Sequence, residues 1–318
     1  MRNRIQGLVT LGMMIPLTAL IACSEDSKPP TNTPAPSLSY REAALQMAPD
    51  HYYPLDETRV GAVANLADGS APGIHEGDGT DVEPDVGDNV GFPGAPGPTT
   101  TIDGETLTGF FAANTSIFCN NALAVNLGTG TDFGHPTMTV ALWIKVPCDP
   151  MNPGTECQGP PASSGGERIF TNNFTGADTG GSSDVDDTGH FQIALGWGAN
   201  FIVSIDNRFS EALKSNYQVA HGDLPIKDNR WHHIVASRNG DDLMDGLLVV
   251  DGVEITKDRW VDSTDSWGVT APFDARIGTR PTAPHDQTFN GWIDEVAIWL
   301  GRQLTVEESQ ALYQSAIG

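Results

Sequence analysis

An all-β sandwich of two antiparallel sheets with a short C-terminal helix is the fold class this sequence predicts. Three observations carry the prediction. The chain holds 35 Gly and 22 Pro among 318 residues, and its apolar runs are short; many short strands with turns between them give that pattern. Met138–Val146 (MTVALWIKV) alternates: Met138, Val140, Leu142, Ile144 and Val146 share one face, Thr139, Ala141, Trp143 and Lys145 the other. Asp251-Gly252 separates the apolar runs 247–250 and 253–256. Gly readily takes the positive φ of a two-residue hairpin turn.

The first segment is not part of that fold. Arg2 and Arg4 precede a broken apolar stretch, Leu8–Ala22, too short for a membrane span and suited to a secretory h-region. It ends Leu20-Ile21-Ala22-Cys23. This resembles the bacterial lipobox, in which a small residue precedes a Cys that is lipidated and becomes the new N-terminus. The resemblance implies a signal peptide over 1–22 and a lipid on Cys23. Ser24, a non-Asp residue after the Cys, implies sorting to a Gram-negative outer membrane. Residues 24–38 (SEDSKPPTNTPAPSL) are polar and Pro-rich with no apolar period, which predicts a tether. Residues 39–318 are then one large β domain.

Within the body, REAALQM at 41–47 predicts a helical turn before the sandwich. Further strands are expected over 168–171, 191–195, 201–205, 231–237, 275–278 and 292–299. Thr305 and Glu308 form a T-x-x-E capping box. The helix they start can pack Ala311 and Leu312 onto the sheet. Residues 68–98 and 147–166 support no period and read as loops.

The chain has 17 Lys+Arg against 41 Asp+Glu, a net charge of −24. Without Arg2 and Arg4 the balance is 15 to 41, or −26. Such a surface repels phosphate backbones, which argues against a nucleic-acid partner. It suits solubility outside the cell and hard cations such as calcium. An exported chain can form disulfides. Cys148 and Cys157 bracket a turn-rich loop and are the favoured pair, with Cys119 unpaired and buried; a Cys119 bridge to either remains an alternative. No Cys/His cluster has zinc spacing.

Several segments in order carry a resemblance. They are HYYPLDE at 51–57, MTVALWIKV at 138–146, RWHHIVASRNG at 230–240, LLVVDGVEI at 247–255 and FNGWIDEVAIWLGRQLTVEE at 289–308. Together they resemble the laminin-G-like domain of the concanavalin A-like lectin/glucanase superfamily, over roughly residues 52–313. The resemblance implies a two-sheet antiparallel jelly roll. It also implies that the first and last strands pair, with Tyr52–Leu55 beside Ile293–Trp299.

Laminarinase-like members of that superfamily carry E-x-D-x-E on one strand, so that alternation aims the acids at one face. Here the strand reads Trp292-Ile293-Asp294-Glu295-Val296. Alternation sends Glu295 to the face opposite Asp294, and no catalytic pair is expected. Related jelly rolls imply a calcium ion shared by Asp56 and Asp294; the plainer reading is that Asp294 accepts hydrogen bonds from backbone or Arg. Asp184, Asp186 and Thr188 before Gly189 match the start of a DxDxDG-type calcium loop, but Leu195 stands where the closing Glu belongs. An acidic solvated loop is the favoured reading of those residues. Trp197, Trp260 and Trp267 lie in turn-rich polar segments and are the candidate carbohydrate platforms; Trp143 and Trp231 belong to the core. His232 and His233 are adjacent and point to opposite faces. No nucleophile elbow or phosphate loop appears.

The sequence thus predicts a lipid-anchored, non-catalytic binding module, with a glycan or an envelope or extracellular protein as partner and calcium as a cofactor candidate. A glycosidase or lyase, or a structural envelope component, are the alternatives.

Overall fold

The computed structural model describes residues 38–67, 69–76, 92–98, 101–102, 105–120, 123–129, 133, 135, 137–147, 167–172, 190–195, 203–208, 216–220, 226, 228–239, 245–256, 258–262, 274–279 and 289–318. At 92, 101–102, 105, 120, 129, 167, 190, 203–208, 216–220 and 258–262 only the backbone is described. These residues belong to one compact unit, Ser37–Gly318.

Its elements in chain order are α1 (Tyr40–Gln46), β1 (His51–Tyr53), β2 (Ala62–Val63), β3 (Gly73–Glu76), β4 (Phe92–Pro96), β5 (Thr101–Ile102), β6 (Glu105–Thr106), β7 (Thr115–Asn120), β8 (Ala124–Thr129), β9 (Thr137–Lys145), β10 (Glu167–Thr171), β11 (His190–Leu195), β12 (Val203–Arg208), β13 (Asn216–Ala220), β14 (Trp231–Asn239), β15 (Leu248–Val250), β16 (Val253–Glu254), β17 (Asp258–Asp262), β18 (Asp274–Ile277), β19 (Asn290–Leu300) and α2 (Val306–Ile317). One sheet has eight strands, ordered β16-β15-β14-β9-β19-β7-β4, with β1 also on β19. The other has nine, ordered β17-β13-β12-β11-β10-β18-β8-β3-β2. All pairings in both sheets are antiparallel. The chain is an all-β jelly-roll sandwich with a C-terminal helix.

The first and last strands lie side by side: Tyr53 pairs with Val296 and Tyr52 with Ala297. The hairpin turn forms at Asp251-Gly252, both at positive φ (51° and 74°), and joins Val250 to Val253. That is the geometry a two-residue turn needs to follow strand twist.

Two apolar layers hold the fold. Between the sheets, Val140, Leu142, Ile144, Ile234, Ile293 and Ile298 meet Val125, Phe170, Phe191, Ile193 and Ile277. On the outer face of the eight-stranded sheet, Tyr52, Trp143, Trp231, Val235, Ala297 and Trp299 pack under Tyr40 and Ala44 of α1 and Leu312 and Ala316 of α2. Both faces of β9 and β14 are therefore buried. Trp231 accordingly belongs to the outer layer.

Both helices begin with reciprocal capping boxes, Ser39/Glu42 and Thr305/Glu308, which satisfy end-of-helix donors. In α2 the buried side chains are Ser309, Leu312 and Ala316. Ala311 is exposed, contrary to expectation, because the buried stripe follows spacings of three and four from Ser309.

Residues 68–98 also depart from the loop reading, since they contain β3 and β4. β4 (FPGAP) carries two prolines, which a strand tolerates only at a sheet edge. It is the edge strand beyond β7. Trp260 likewise sits inside β17 and not between strands.

Candidate functional site

The most concentrated polar site among the described side chains forms where α1, β1 and β19 meet. It depends on a bulge in β19. Asp294 pairs with Trp143 and Ala297 with Ala141, so three steps on β19 match two on β9. Glu295 absorbs the extra residue with φ +50°. A bulge breaks the period-two alternation of a strand. Ile293 and Val296 both face the inter-sheet core, and the two residues between them both turn to the outer layer.

This overturns the expectation that Asp294 and Glu295 point to opposite faces. Asp294 Oδ2 accepts from Asn114 Nδ2 at 2.6 Å. Glu295 Oε1 accepts from Arg41 of α1 at 2.8 Å, and Glu295 Oε2 accepts from the Tyr52 hydroxyl of β1. Arg41 also donates to Asp56 at 2.6 Å, just beyond β1, and its guanidinium lies 5.2 Å from the Phe111 ring centre. One cation thus joins α1, the first strand and the last strand. Beside it, the Tyr40 hydroxyl lies 3.0 Å from His233 Nε2.

Burial dominates the electrostatics. Asp294 is 0% exposed and Glu295 1%. Desolvation, then the neighbouring Glu295 charge, holds the Asp294 carboxyl well above the usual range. Desolvation also lifts Glu295 to about 7, although the Arg41 charge and hydrogen bond pull the other way. Burial raises the Tyr52 and Tyr40 hydroxyls and keeps His233 neutral, its pKa lowered to about 3. Each shift disfavours a charge removed from water.

Asp56 and Asp294, paired in the sequence reading as calcium ligands, both belong to this cluster, with Arg41 engaged by Asp56. Asp294 Oδ1, Asn114 Oδ1 and Thr115 Oγ1 are buried without a hydrogen-bond partner. The Thr115 amide reaches Asp56 Oδ1 at 3.4 Å, and a Cβ on Gly97 would lie 3.0 Å from Asp294 Oδ2 and 2.4 Å from Asn114 Nδ2. Hard cations choose oxygen donors such as these. Among the described residues no three His, Cys, Asp or Glu side chains are placed to hold a metal; a cation here needs the Asn and Thr oxygens as well.

Cys119 is buried with a free thiol, whose pKa burial raises. His232 and His233 do face opposite ways. His232 sits between Asp251 (2.7 Å) and Asp228 (3.1 Å), while His233 faces Tyr40 and Trp143. Trp260 is placed only by register, opposite Gln218. Cys23, Cys148, Cys157, Asp184, Asp186, Thr188, Trp197 and Trp267 lie outside the described residues. Sequence reasoning missed Arg41, Tyr52, Asn114 and Glu295 as site members. Only the Asp-Glu doublet in the last strand signalled Glu295; nothing local announces the bulge.

The family follows from the pattern as well as the fold. The Laminin_G_3 model, of the concanavalin A-like lectin/glucanases superfamily, matches residues 120–308, more than half of the chain. The chain belongs to that family. Among solved structures it is similar to domain 4 of AbnA, a GH43 extracellular arabinanase from Geobacillus stearothermophilus, in complex with arabinotriose. There the identity is 17% and the TM-score 0.44, over 84% of this chain and 98% of that one. It is also similar to the botulinum neurotoxin serotype D/C VPI 5993 binding domain (11%, TM-score 0.46, 86% of this chain and 53% of that one). Trypanosoma rangeli sialidase is a third (11%, TM-score 0.44, 86% of this chain and 34% of that one). No curated protein sequence matches the chain.

Proposed function

We propose that the chain is a lipid-anchored envelope protein whose concanavalin A-like domain binds a carbohydrate or protein partner without acting on it chemically. The observation that supports binding over catalysis is the sealing of Asp294 and Glu295 beneath α1. A glycosidase needs two carboxyl groups open to the scissile bond, one to donate a proton and one to attack or activate water. Here Asn114, Arg41 and Tyr52 engage the two carboxyls, and neither residue is more than 1% exposed. Glu295 ties α1 and the first strand to the last strand.

In this reading the partner is taken by residues away from that cluster, with Trp197, Trp260 and Trp267 as candidate platforms. A calcium ion bound by Asp56 and Asp294, with Asn114 and Thr115, would stiffen the junction of the chain ends. Asp184, Asp186 and Thr188 remain a second proposed cation loop. The lipid on Cys23 would hold the domain at the outer membrane.

The test is a glycan array with and without calcium, run beside hydrolysis assays on β-glucan, arabinan and sialoglycan panels. Binding without release of reducing ends or sialic acid is the expected result. Turnover lost in Glu295→Gln or Asp294→Asn overturns the non-catalytic reading. An array blank in both conditions removes the carbohydrate branch. Labelled palmitate should enter the wild type and not Cys23→Ala.

A further inference from the structure

The two sheets treat their outer faces differently. The eight-stranded sheet is covered by the helices, whereas the nine-stranded sheet carries a polar row. Cross-strand partners share a face. The register runs from Ile74 to Asn126, Arg276, Thr171 and Gln192. Their chain neighbours Val125, Ile277, Phe170 and Ile193 fill the inter-sheet core, so this row looks away from it. Thr171 and Gln192 are fully buried. The row is therefore open at its β3–β8–β18 end, where Ile74 is 59% exposed.

At that end the polar groups are already fixed. Asn126 Nδ2 donates to Glu76 Oε1 at 2.6 Å and to Asp274 Oδ2 at 2.7 Å. Arg276 Nε donates to Glu76 Oε2 at 2.7 Å. Asn126 Oδ1 accepts from the Gly128 amide at 2.8 Å, which fixes the orientation of the side-chain amide. All four side chains are part-buried, none lost to solvent.

We propose that Glu76, Asn126, Asp274 and Arg276, with the exposed Ile74, form a seat for one or two sugar units of a neutral glycan. The proposal rests on the carbohydrate branch of the reading above and assigns it a site. Among the described side chains, two carboxylates stand against one guanidinium, an excess of acceptors that suits a ligand bringing donors. Sugar hydroxyls do, and an anionic ligand would meet Glu76 and Asp274. Groups held in place before binding lose little freedom when the ligand arrives. Ile74, 59% exposed, supplies an apolar contact for the C–H face of a ring, and the fixed polar groups beside it orient that ring.

The seat is separate from Trp260. The backbone register continues from Gln192 through Asp206 and Gln218 to Trp260. Trp260 thus lies six strands from Asn126, about 29 Å at roughly 4.8 Å per strand. A disaccharide seated at Asn126 does not reach it.

Calorimetric titration of the full chain with neutral gluco-, galacto-, manno- and arabino-disaccharides and trisaccharides tests the seat. For each sugar the wild type binds, Asn126→Ala and Asp274→Asn should weaken affinity about tenfold or more, as loss of a buried hydrogen bond does. Ile74→Ser, which leaves the polar network intact, should weaken it severalfold. Melting temperatures of the variants separate lost binding from lost fold. Unchanged affinity in folded Asn126→Ala, Asp274→Asn and Ile74→Ser overturns the seat and leaves the carbohydrate reading standing. A wild type that binds none of these sugars but binds longer glycans overturns the seat alone. A wild type that binds no glycan of any length overturns both.

Discussion

Arg41 of the first helix donates to Glu295 in the bulge of the last strand at 2.8 Å, across 254 residues of chain. The contact gives the folded domain one cation shared by Asp56 and a nearly buried Glu295. Removing a partner from a buried pair strands the other charge. Arg41→Ala should therefore cost on the order of 3 kcal/mol in denaturant unfolding. Both carboxylates are reached from the one nitrogen Nη2, so Arg41→Lys, which keeps the charge and a nitrogen with several donors, should cost less. An Arg41→Ala domain as stable as the wild type would show that the pair does not hold the chain ends.

The same cluster sets a pH dependence. Glu295 titrates at about 7 in the folded domain, above its ordinary 4.5, chiefly through burial. A raised carboxyl pKa means the folded state holds the proton more tightly. Its contribution to stability is full below about 4.5 and is lost as pH rises through about 7. Glu295→Gln carries the neutral form at every pH. Its unfolding free energy should gain on the wild type between pH 5 and 8, by on the order of 1 kcal/mol or more. Parallel profiles across that window would mean Glu295 is not the group that titrates.

His232 gives a second window. Burial pulls its pKa down, but the Asp228 and Asp251 hydrogen bonds and charges outweigh that and raise it to about 9. Stability from this group is present below about 6.5 and is lost as pH rises through about 9. Asp251 also accepts from the His233 amide at 2.8 Å, so the imidazolium anchors the β15–β16 turn. The wild type should lose stability between pH 7 and 9.5, and His232→Gln should show a flatter profile there. A slope unchanged by the substitution would place the titration elsewhere.

Much of the fold was legible because its signals are local or repeated. The Asp251-Gly252 turn, the Thr305/Glu308 cap and the β9 alternation each sit within a few residues. The pairing of Tyr53 with Val296 came from the ordered set of segments that resembles the family, not from either strand alone. The site was less legible. Strict alternation placed Asp294 and Glu295 on opposite faces, and a single positive φ at Glu295 put them together. Nothing in REAALQM marks Arg41 as a partner for residues 15 and 254 positions away. The strands β3, β4 and β17 were hidden by Gly, Pro and Asp, which read as turns when their place at or near a sheet edge is unknown.

Gly109 joins the two helices. Its carbonyl accepts from Tyr40 N at 3.0 Å, and its amide donates to Ala316 O at 2.9 Å. A Cβ there would lie 1.9 Å from Ser315 O and 2.7 Å from Ala316 Cα. Backbone on that side cannot yield without moving α2. Gly109→Ala should cost about 1–3 kcal/mol, the usual penalty of overpacking, and should speed amide exchange in both helices. Exchange confined to α2 would mean that the two helices dock independently.

Calcium is tested by linkage. An ion that binds only the folded state stabilises it by an amount that grows with its concentration. If Asp56, Asp294, Asn114 and Thr115 hold calcium, a saturating excess of about 100 times the dissociation constant adds roughly 2.7 kcal/mol. The melting temperature should rise with calcium and fall in EDTA, and Asn114→Ala or Asp294→Asn should remove the calcium response. Magnesium, which demands a tighter octahedral shell, should substitute poorly. Melting curves that overlay in calcium and EDTA would remove the ion and leave Arg41 as the cation that offsets these carboxylates. A response that survives both substitutions would move the ion to another site, and Asp184→Asn with Asp186→Asn would then test the second loop.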